Sequence, residues 1–379
     1  MLKGYKIRIY PTKEQEVLIW KHFDGCRFIY NHLIALQAEN YKNGGKFIGQ
    51  FNMGKRVTEL KRQEEYKWLN ELSSASLGII CKDVEETYKM FFNKTIPYPR
   101  FKKKKQHKDK YPVRSERFYF KKDFAHIEKL GKMKYKSDFQ FPKGRNYKYN
   151  NVRISFRNGK YILSFSVECE NQAVQLSGQT MGIDLGVKEL AVVAYGEEQI
   201  FFHNINKSKQ MKFLEKRILH YQRSISRKSL ASRKRNGKYI KTSNIERECK
   251  KIRKLYAKRT NIRVDYIHKA THTLVSMAPK RVVMENLNIR GMLKNKHMYK
   301  SIIVQKWHEF IRQMKYKCEW NGIEFVQVDM FYPSSRMCSC CGYIKKDLKL
   351  RDRTFVCPKC GFQIDRDYNA AINLMRYEA

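Results

Sequence analysis

The sequence predicts a multidomain α+β protein, in which a β domain carries an inserted helical segment and precedes an α/β domain that a cysteine-rich segment interrupts. Residues 14–92 show the spacing of apolar residues typical of helices, whereas residues 113–170 alternate apolar and polar residues in short segments. Residues 180–379 combine apolar strands with amphipathic helices. A length of 379 residues is sufficient for two or three such domains.

The β domain is predicted from short aromatic segments, "RFYFK", "NVRISFRNG" and "KYILSFSVECE". Asn158 and Gly159 lie between the last two and favour a tight hairpin turn. The opening "GYKIRIYP" is a further strand, which ends at Pro11. If this strand pairs with the later ones, the unit is a small β-barrel and the helical segment is an insertion into it.

The helical segment has weak breaks at "NGGKFIG" and "LNELSS". Its aromatic residues are interpreted as core that packs between helices: Trp20, Phe23, Phe28 and Tyr30. The segment "IPYPRFKKKKQHKDKYP", with three prolines and a dense basic run, marks its boundary.

The second half begins with a predicted meander of three strands, "TMGIDLGVKELAVVAYGEEQIFFH". Residues 203–263 carry 21 Lys or Arg against three acids, with apolar residues at helical spacing, and predict an antiparallel helix pair with one basic face. A strand "APKRVVMENLN", a helix over residues 301–320, a strand "IEFVQVD" and a helix "NAAINLMR" follow.

The charge balance indicates a polyanionic partner. Lys and Arg number 79 against 36 acids, a net charge of +43. An excess of this size is typical of proteins that bind nucleic acid, whereas membrane binding favours a compact basic face, and here the charge is spread along the chain. The N-terminus lacks a signal peptide and no apolar run approaches the about 18 residues of a membrane span, so a cytoplasmic location is expected.

Acidic residues at the ends of apolar strands predict a magnesium site. Asp184 lies inside "GIDLGV" between two glycines that allow close backbone approach, Glu285 ends "RVVMENL", and "DRDYNAA" supplies a third acid. Two magnesium ions held by such acids can catalyse cleavage of a phosphodiester. Three antiparallel strands, then helix, strand, helix, strand and helix, form an RNase H-like plan. Taken singly, Asp184 could be a turn residue and Glu285 a cap, and Asp329 also follows a strand.

The clustered cysteines predict a structural zinc site. Two Cys-x-x-Cys pairs are separated by 15 residues, which matches a tetrahedral zinc ribbon formed by Cys338, Cys341, Cys357 and Cys360. Gly342 and Gly361 follow the two pairs and permit tight turns. Cys340 falls outside this register and is expected to point away from the metal.

The motifs "GIDLGV", "VMENL", "YPSSRMCSCCG", "CPKCG" and "DRDYNAAINL" together resemble the TnpB family of transposon-encoded nucleases, relatives of the type V CRISPR effectors. "KIRIYPTKEQ", "CRFIYNHLIAL", "ETYKMFF" and "PRFKKKK" fit the same family, so the resemblance covers essentially the whole chain. It implies an RNA-guided, magnesium-dependent DNA endonuclease. Guide RNA and target double-stranded DNA are its implied partners, with one protein per guide, and DNA is cut beside a short adjacent motif.

The resemblance also implies roles and domains. Asp184, Glu285 and Asp367 become the catalytic, magnesium-binding acids, and Asp365 is expected to support Asp367, Arg366 or the backbone. The implied domains are a β-barrel wedge domain (1–13 and 97–175), a helical recognition domain (14–96), a RuvC-like nuclease domain (176–332 and 363–379) and a zinc ribbon (333–362). The basic stretches 102–110 and 207–263 are expected to lie along the nucleic-acid backbone.

Two alternatives remain open. An RNA-guided repressor would keep the fold with an idle nuclease, but the retained set of three acids argues against it. A transposase would join DNA strands itself and would cut its element's ends without RNA.

Overall fold

The computed structural model of the protein describes residues 1–104, 110–137, 140–170, 174–296, 298–349 and 351–378. The chain divides into two compact units, Met1–Glu170 and Asn171–Ala379. Within the described ranges, no helix has both the length and the apolar character needed to cross a membrane.

The first unit is built on a seven-stranded antiparallel sheet. Its strands are β1 (Leu2–Tyr10), β2 (Lys110–Pro112), β3 (Tyr119–Phe120), β4 (Phe124–Ile127), β5 (Gly131–Lys136), β6 (Tyr149–Arg157) and β7 (Lys160–Glu168). They lie in the order β2-β6-β7-β1-β5-β4-β3. The N-terminal strand therefore pairs into the later β segments on both sides, as the sequence predicts.

The prediction of a closed barrel is not confirmed, because the described strands form an open sheet. Its edge strands, β2 and β3, have three and two residues, and no pairing joins them in the described part of the chain. Edges this short offer few backbone hydrogen bonds for closure. The predicted hairpin is present: Asn158 and Gly159 both have positive φ, 52° and 77°, as a type I′ turn between β6 and β7 requires.

Between β1 and β2, the described part of the chain forms three α-helices: α1 (Lys13–Lys42), α2 (Gln50–Leu60) and α3 (Ser74–Phe92). Thr12 and Gln15 cap α1 reciprocally, each side chain accepting from the other's backbone N–H. Phe23 and Tyr30 are buried in the core, and Trp20 and Phe28 pack against it, as expected of residues that pack between helices. The two predicted breaks both interrupt the helical segment, the second as a 3₁₀ helix over Glu64–Glu71.

The second unit contains a five-stranded mixed sheet. Its strands are β8 (Thr180–Leu185), β9 (Glu189–Tyr195), β10 (Glu198–His203), β11 (Arg281–Glu285) and β12 (Glu324–Val328), in the order β10-β9-β8-β11-β12. The first three form an antiparallel meander, and β11 pairs in parallel with both β8 and β12. The central position of β8 explains why all but its first residue are buried.

Among the described residues of this unit, six α-helices accompany the sheet: α4 (Lys209–Asn236), α5 (Ser243–Ser276), α6 (Ile289–Met292), α7 (Tyr299–Gln305), α8 (Trp307–Asn321) and α9 (Arg366–Met375). The first two run antiparallel, because contacts move backwards along one as they move forwards along the other: Glu215 pairs with Arg259, and Lys228 pairs with Glu248. The predicted strands and the predicted helix pair appear in the predicted order, and the structure adds the short helix α6 after β11.

The predicted single helix over residues 301–320 is instead two helices. Lys306 separates them with a left-handed backbone, φ 57° and ψ 39°. The buried Gln305 side chain donates to the carbonyls of Gly186 and Val187, which holds the end of α7 against the loop after β8. The break at Lys306 coincides with this tertiary contact, and the spacing of apolar residues in the sequence does not reveal it.

Between β12 and α9 lies the cysteine-rich segment. Its two-stranded sheet pairs β13 (Thr354–Val356) with β14 (Gln363–Asp365). Cys338, Cys357 and Phe355 form its small buried core. Because β14 ends directly at α9, the segment is joined to the last helix without a linker.

Candidate functional site

Asp184 lies near the end of the central strand β8 and is 9% exposed. Two residues before it, Gly182 faces α9 so closely that an added Cβ would lie 2.0 Å from the Ala371 carbonyl oxygen and 2.3 Å from the Met375 nitrogen. Glycine is therefore required here for the last helix to pack directly on the strand, which agrees with the close approach predicted from the sequence. This packing brings the start of α9 near Asp184.

Glu285 ends β11, the parallel neighbour of β8. The register pairs Met284 with Ile183, so Asp184 and Glu285 follow as adjacent residues at the carboxyl ends of neighbouring strands. Such strands lie about 4.8 Å apart. The Ser334 hydroxyl donates a short hydrogen bond to Glu285 Oε1.

Asp365 and Asp367 have different environments at the start of α9. Asp365 is the N-cap, and its Oδ1 accepts from the backbone N–H groups of Asp367 (3.0 Å) and Tyr368 (3.1 Å). Asp367 is 9% exposed and forms ion pairs with Arg366 (2.9 Å) and Arg353 (3.8 Å). Asp365 thus supports the backbone, as predicted, while Asp367 presents a buried, charge-balanced carboxylate.

The three acids influence one another electrostatically. The pKa of Asp184 is raised well above its ordinary value, first by burial and then by the charges of Glu285 and Asp367, which Arg366 partly offsets. The pKa of Glu285 is also raised, mainly by burial, against the opposing hydrogen bond from Ser334. Buried carboxylates that repel one another are stabilised by a shared cation, and their hard oxygen atoms suit magnesium. The three carboxylates are therefore of the chemical type that binds divalent metal ions.

Asp329 does not belong to this cluster. It is exposed after β12, and its Oδ1 accepts from the backbone N–H of Phe331 at 2.8 Å. The structure therefore separates an acid that closes a turn from the three acids that lie together.

A second site gathers four cysteine thiols, whose sulfur atoms all lie within 4.8 Å of one another: Cys338, Cys341, Cys357 and Cys360. Two of the Sγ–Sγ distances are 3.7 Å and 3.6 Å, too long for a disulfide. Four sulfurs at about 2.3 Å from one zinc lie about 3.8 Å apart, so the cluster fits that ion.

The two cysteine pairs are held by the same backbone hydrogen bonds. Cys338 N–H donates to the Tyr343 carbonyl and Gly342 N–H donates to the Cys338 carbonyl, each at 2.9 Å. Cys357, Gly361 and Phe362 repeat this arrangement at 2.9 and 3.0 Å. Both glycines have positive φ, 74° and 72°, as the tight turns predicted from the sequence require.

Backbone donors also favour the thiolate form of one cysteine. Burial raises the pKa of Cys357, but hydrogen bonds from the backbone of Cys360 and Lys359 and from neighbouring thiols outweigh it and lower the pKa to about 6. A thiolate is the form that ligates zinc. Cys340 is exposed and lies outside the cluster, as its position in the sequence predicts.

Part of the predicted basic surface is used within the fold. Arg259 and Arg263 both pair with Glu215, and Arg263 also donates to Asn206 Oδ1 at 2.6 Å. In the stretch 102–110, residues 105–109 lie outside the described residues, and Lys104 pairs with Asp24 at 2.8 Å. Many other lysines and arginines of α4 are exposed.

Several residues in and around the acidic site could not be predicted from the sequence. Ser334 lies in a segment that carries no strand or helix signal, and Arg353 lies in the cysteine-rich insertion, 14 residues before its partner Asp367. Asn369 and Asn373, four apart on α9, are almost fully buried. Two asparagines at this spacing lie on the apolar side of a helix, where polar side chains need hydrogen-bond partners. This spacing is the one feature of the sequence that could have indicated their role.

Three family models match the chain. Residues 1–46 match "Helix-turn-helix domain", residues 164–296 match "Probable transposase", and residues 307–374 match "Cas12f1-like, TNB domain". The first description differs from the structure, where residues 1–46 form strand β1 and the single helix α1. The third match spans α8, the four cysteines and most of α9.

Whole-length relatives agree with these matches. InsQ of Escherichia coli (strain K12), whose name describes an RNA-guided DNA endonuclease, is 31% identical over 391 residues, which cover 99% of this chain and 92% of InsQ. A protein of Streptomyces pristinaespiralis with the same description is 28% identical and covers 98% of this chain and 88% of its own length.

A solved structure, the cryo-EM structure of a Cas12f1–sgRNA–target DNA complex, shares the fold with a TM-score of 0.63 and 14% identity over 99% of both chains. TnpB-like protein L79 of Acanthamoeba polyphaga mimivirus is 24% identical over 99% of this chain. The relatives and the solved structure cover nearly the whole chain, and the family models match three separate parts of it. The chain therefore belongs to the TnpB family of RNA-guided DNA endonucleases that IS605-type transposable elements encode.

Proposed function

We propose that this chain is an RNA-guided, magnesium-dependent endonuclease that cuts double-stranded DNA beside a short adjacent motif. The observation that carries this proposal is the meeting of three distant acids, Asp184, Glu285 and Asp367, at one end of the sheet. Guide RNA and target DNA are the proposed partners, with one protein per guide. The names of the relatives and the fold shared with a nucleic-acid-bound Cas12f1 support them.

Asp184, Glu285 and Asp367 would hold two magnesium ions. When bound, these ions stabilise the charge that develops on the phosphate during attack by water. The chain's own contribution is to place the carboxylates: β8 and β11 fix two acids side by side, and Asp365 starts the helix that presents the third. Arg366 and Arg353 form ion pairs with Asp367 and balance its charge.

The four clustered cysteines would bind one structural zinc ion. Their sulfur spacing supports this assignment, and a set of four protein ligands leaves no open position for catalysis. The zinc would thus stabilise the insertion between β12 and α9.

The proposed domains follow the resemblance. A wedge domain (1–13 and 97–175) would carry the recognition domain (14–96), and a RuvC-like nuclease (176–332 and 363–379) would carry the zinc ribbon (333–362). The helices between β1 and β2, the three-strand meander and the cysteine segment before α9 support this division. The proposed location of this activity is the cytoplasm of a prokaryotic cell, where the protein would act on DNA.

Plasmid cleavage tests this proposal. With guide RNA and magnesium, Asp184→Ala should lower cutting at least about a thousandfold while target binding stays within about twofold, because the acid places metal rather than gripping nucleic acid. Glu285→Ala and Asp367→Ala should behave alike.

Asp329→Ala is the matched control, because Asp329 also follows a strand but lies outside the cluster. Cutting by Asp184→Ala at the wild-type rate would place the active site elsewhere. A wild-type protein that binds target but never cuts would indicate a repressor, and cutting of the element's ends without RNA would indicate a transposase.

A further inference from the structure

The segment between β12 and the first zinc ligand touches the acidic site through Ser334. Ser334 is 2% exposed, and its hydroxyl donates to Glu285 Oε1. Cys338, the first clustered cysteine, lies only four residues further along the chain. A single short segment therefore contacts one acid at its start and belongs to the cysteine cluster at its end.

The last helix fixes this segment in place. Asn373 uses both hydrogens of its side-chain amide, donating to the carbonyls of Ser334 (2.7 Å) and Met337 (2.6 Å). Asn369 donates to the same Met337 carbonyl (2.7 Å) and accepts from the Ser339 N–H (3.0 Å). These hydrogen bonds tie α9, which carries Asp367, to the backbone on both sides of Cys338.

The burial of these groups makes the arrangement specific. Asn369 and Asn373 are 0% and 3% exposed, so loss of a partner would leave a buried polar group unsatisfied. Arg376, the C-cap residue directly after α9, also donates a hydrogen bond to the Ser339 carbonyl. The cysteine cluster, α9 and Glu285 are thus joined by a continuous set of hydrogen bonds.

We propose that Ser334 and Asn373 are positioning residues for Glu285, through which the zinc-bound cysteine segment sets the metal affinity of the nuclease site. This inference rests on the proposed function. Ser334 holds one carboxylate oxygen of Glu285, and Asn373 holds the backbone of Ser334. Partners that orient a metal ligand commonly change metal affinity or activity about 10- to 100-fold when removed.

The test measures metal binding as well as cutting, with the full-length protein and its guide RNA. Binding of Mn²⁺ followed by electron paramagnetic resonance reports the site directly. The Asp184→Ala complex supplies the background from RNA. We expect Ser334→Ala to raise the Mn²⁺ dissociation constant and the half-saturating Mg²⁺ concentration about tenfold, with unchanged zinc content.

Two serine variants act as controls. Ser335→Ala makes the same chemical change one residue away, where no side-chain hydrogen bond is present among the described residues, and should leave both constants unchanged. Ser334→Thr keeps the hydroxyl and should restore metal binding. Asn373→Ala should reproduce the Ser334→Ala defect. Equal constants for Ser334→Ala and Ser335→Ala would overturn the inference.

Zinc removal tests the second half of the inference. Mild chelation should weaken Mn²⁺ binding about tenfold in the wild-type protein but little further in Ser334→Ala, because both changes release the same carboxylate. An equal loss in both proteins would overturn the route through Ser334. Failure of the proposed function can be distinguished from failure of this inference. If the proposed function is wrong, Asp184→Ala will still cut DNA and bind the metal.

Discussion

At the scale of single residues, Asp184 combines burial with two acidic neighbours, and this arrangement has a stability cost. The pKa of its carboxyl is raised in the folded protein, so the folded state binds more protons than the unfolded state above the ordinary pKa of an aspartic acid. The free energy of unfolding should therefore fall as pH rises from the unfolded pKa, about 4, through the raised folded value. Metal binding would offset this loss.

Asp184→Asn should for that reason stabilise the metal-free protein at neutral pH, while abolishing cutting. Thermal unfolding in a chelator of magnesium that spares zinc, followed from pH 4 to pH 8, measures the effect. The melting temperature of the variant should decline less over this range than that of the wild type. Asp329→Asn, at an exposed acid, is the control and should follow the wild-type curve.

At the scale of elements, the cysteine segment is a small unit whose buried core consists of Cys338, Cys357 and Phe355, so two of the proposed zinc ligands are themselves core residues. Cys338→Ser should lower zinc content from one ion per chain to near zero and destabilise the zinc ribbon (333–362), because metal binding and folding are coupled in such units. Cys340→Ser, an equal change at an exposed thiol outside the cluster, should keep zinc and stability. Metal analysis measures the zinc content of both variants, and limited proteolysis measures the stability of the segment. Stoichiometric zinc in Cys338→Ser would contradict the ligand assignment.

At the scale of the whole molecule, the net charge of +43 remains even if every acid is paired with a lysine or arginine, because 79 basic residues face only 36 acids. Binding to guide RNA should therefore release many counterions, and the logarithm of affinity should fall linearly with the logarithm of salt concentration. A protein with six to ten phosphate contacts loses about 10³ to 10⁵ in affinity between about 50 and 200 mM salt. Titration of labelled guide RNA at four salt concentrations measures the slope. An affinity that does not change with salt would mean that this charge is only a solvated surface.

Variants of α4 and α5 test which basic residues contact the nucleic acid. Arg223 and Arg227 are exposed without a partner among the described residues, whereas Arg259 is paired with Glu215. Arg223→Gln with Arg227→Gln should reduce the salt slope by about two. Arg259→Gln should change it less, since its charge is already balanced within the fold.

The order of the main elements, the antiparallel basic helices, the tight turn at Asn158–Gly159 and the cluster of four cysteines were all predictable from the sequence. Each depends on residues that are close together in the chain, whose spacing determines helix, strand, turn or ligand geometry. The net charge likewise depends on composition alone. These features could be predicted without knowing how distant segments pack.

The tertiary structure decided the rest. It left the first sheet open at two short edges, divided one predicted helix at Lys306, and placed Asp365 at a helix cap while burying Asp367 beside Arg353. It also brought Ser334 onto Glu285. Each of these outcomes depends on contacts between segments far apart in sequence. The energies of these contacts are set by which strands pair and which helix packs on the strands. Local sequence patterns therefore cannot encode the outcomes.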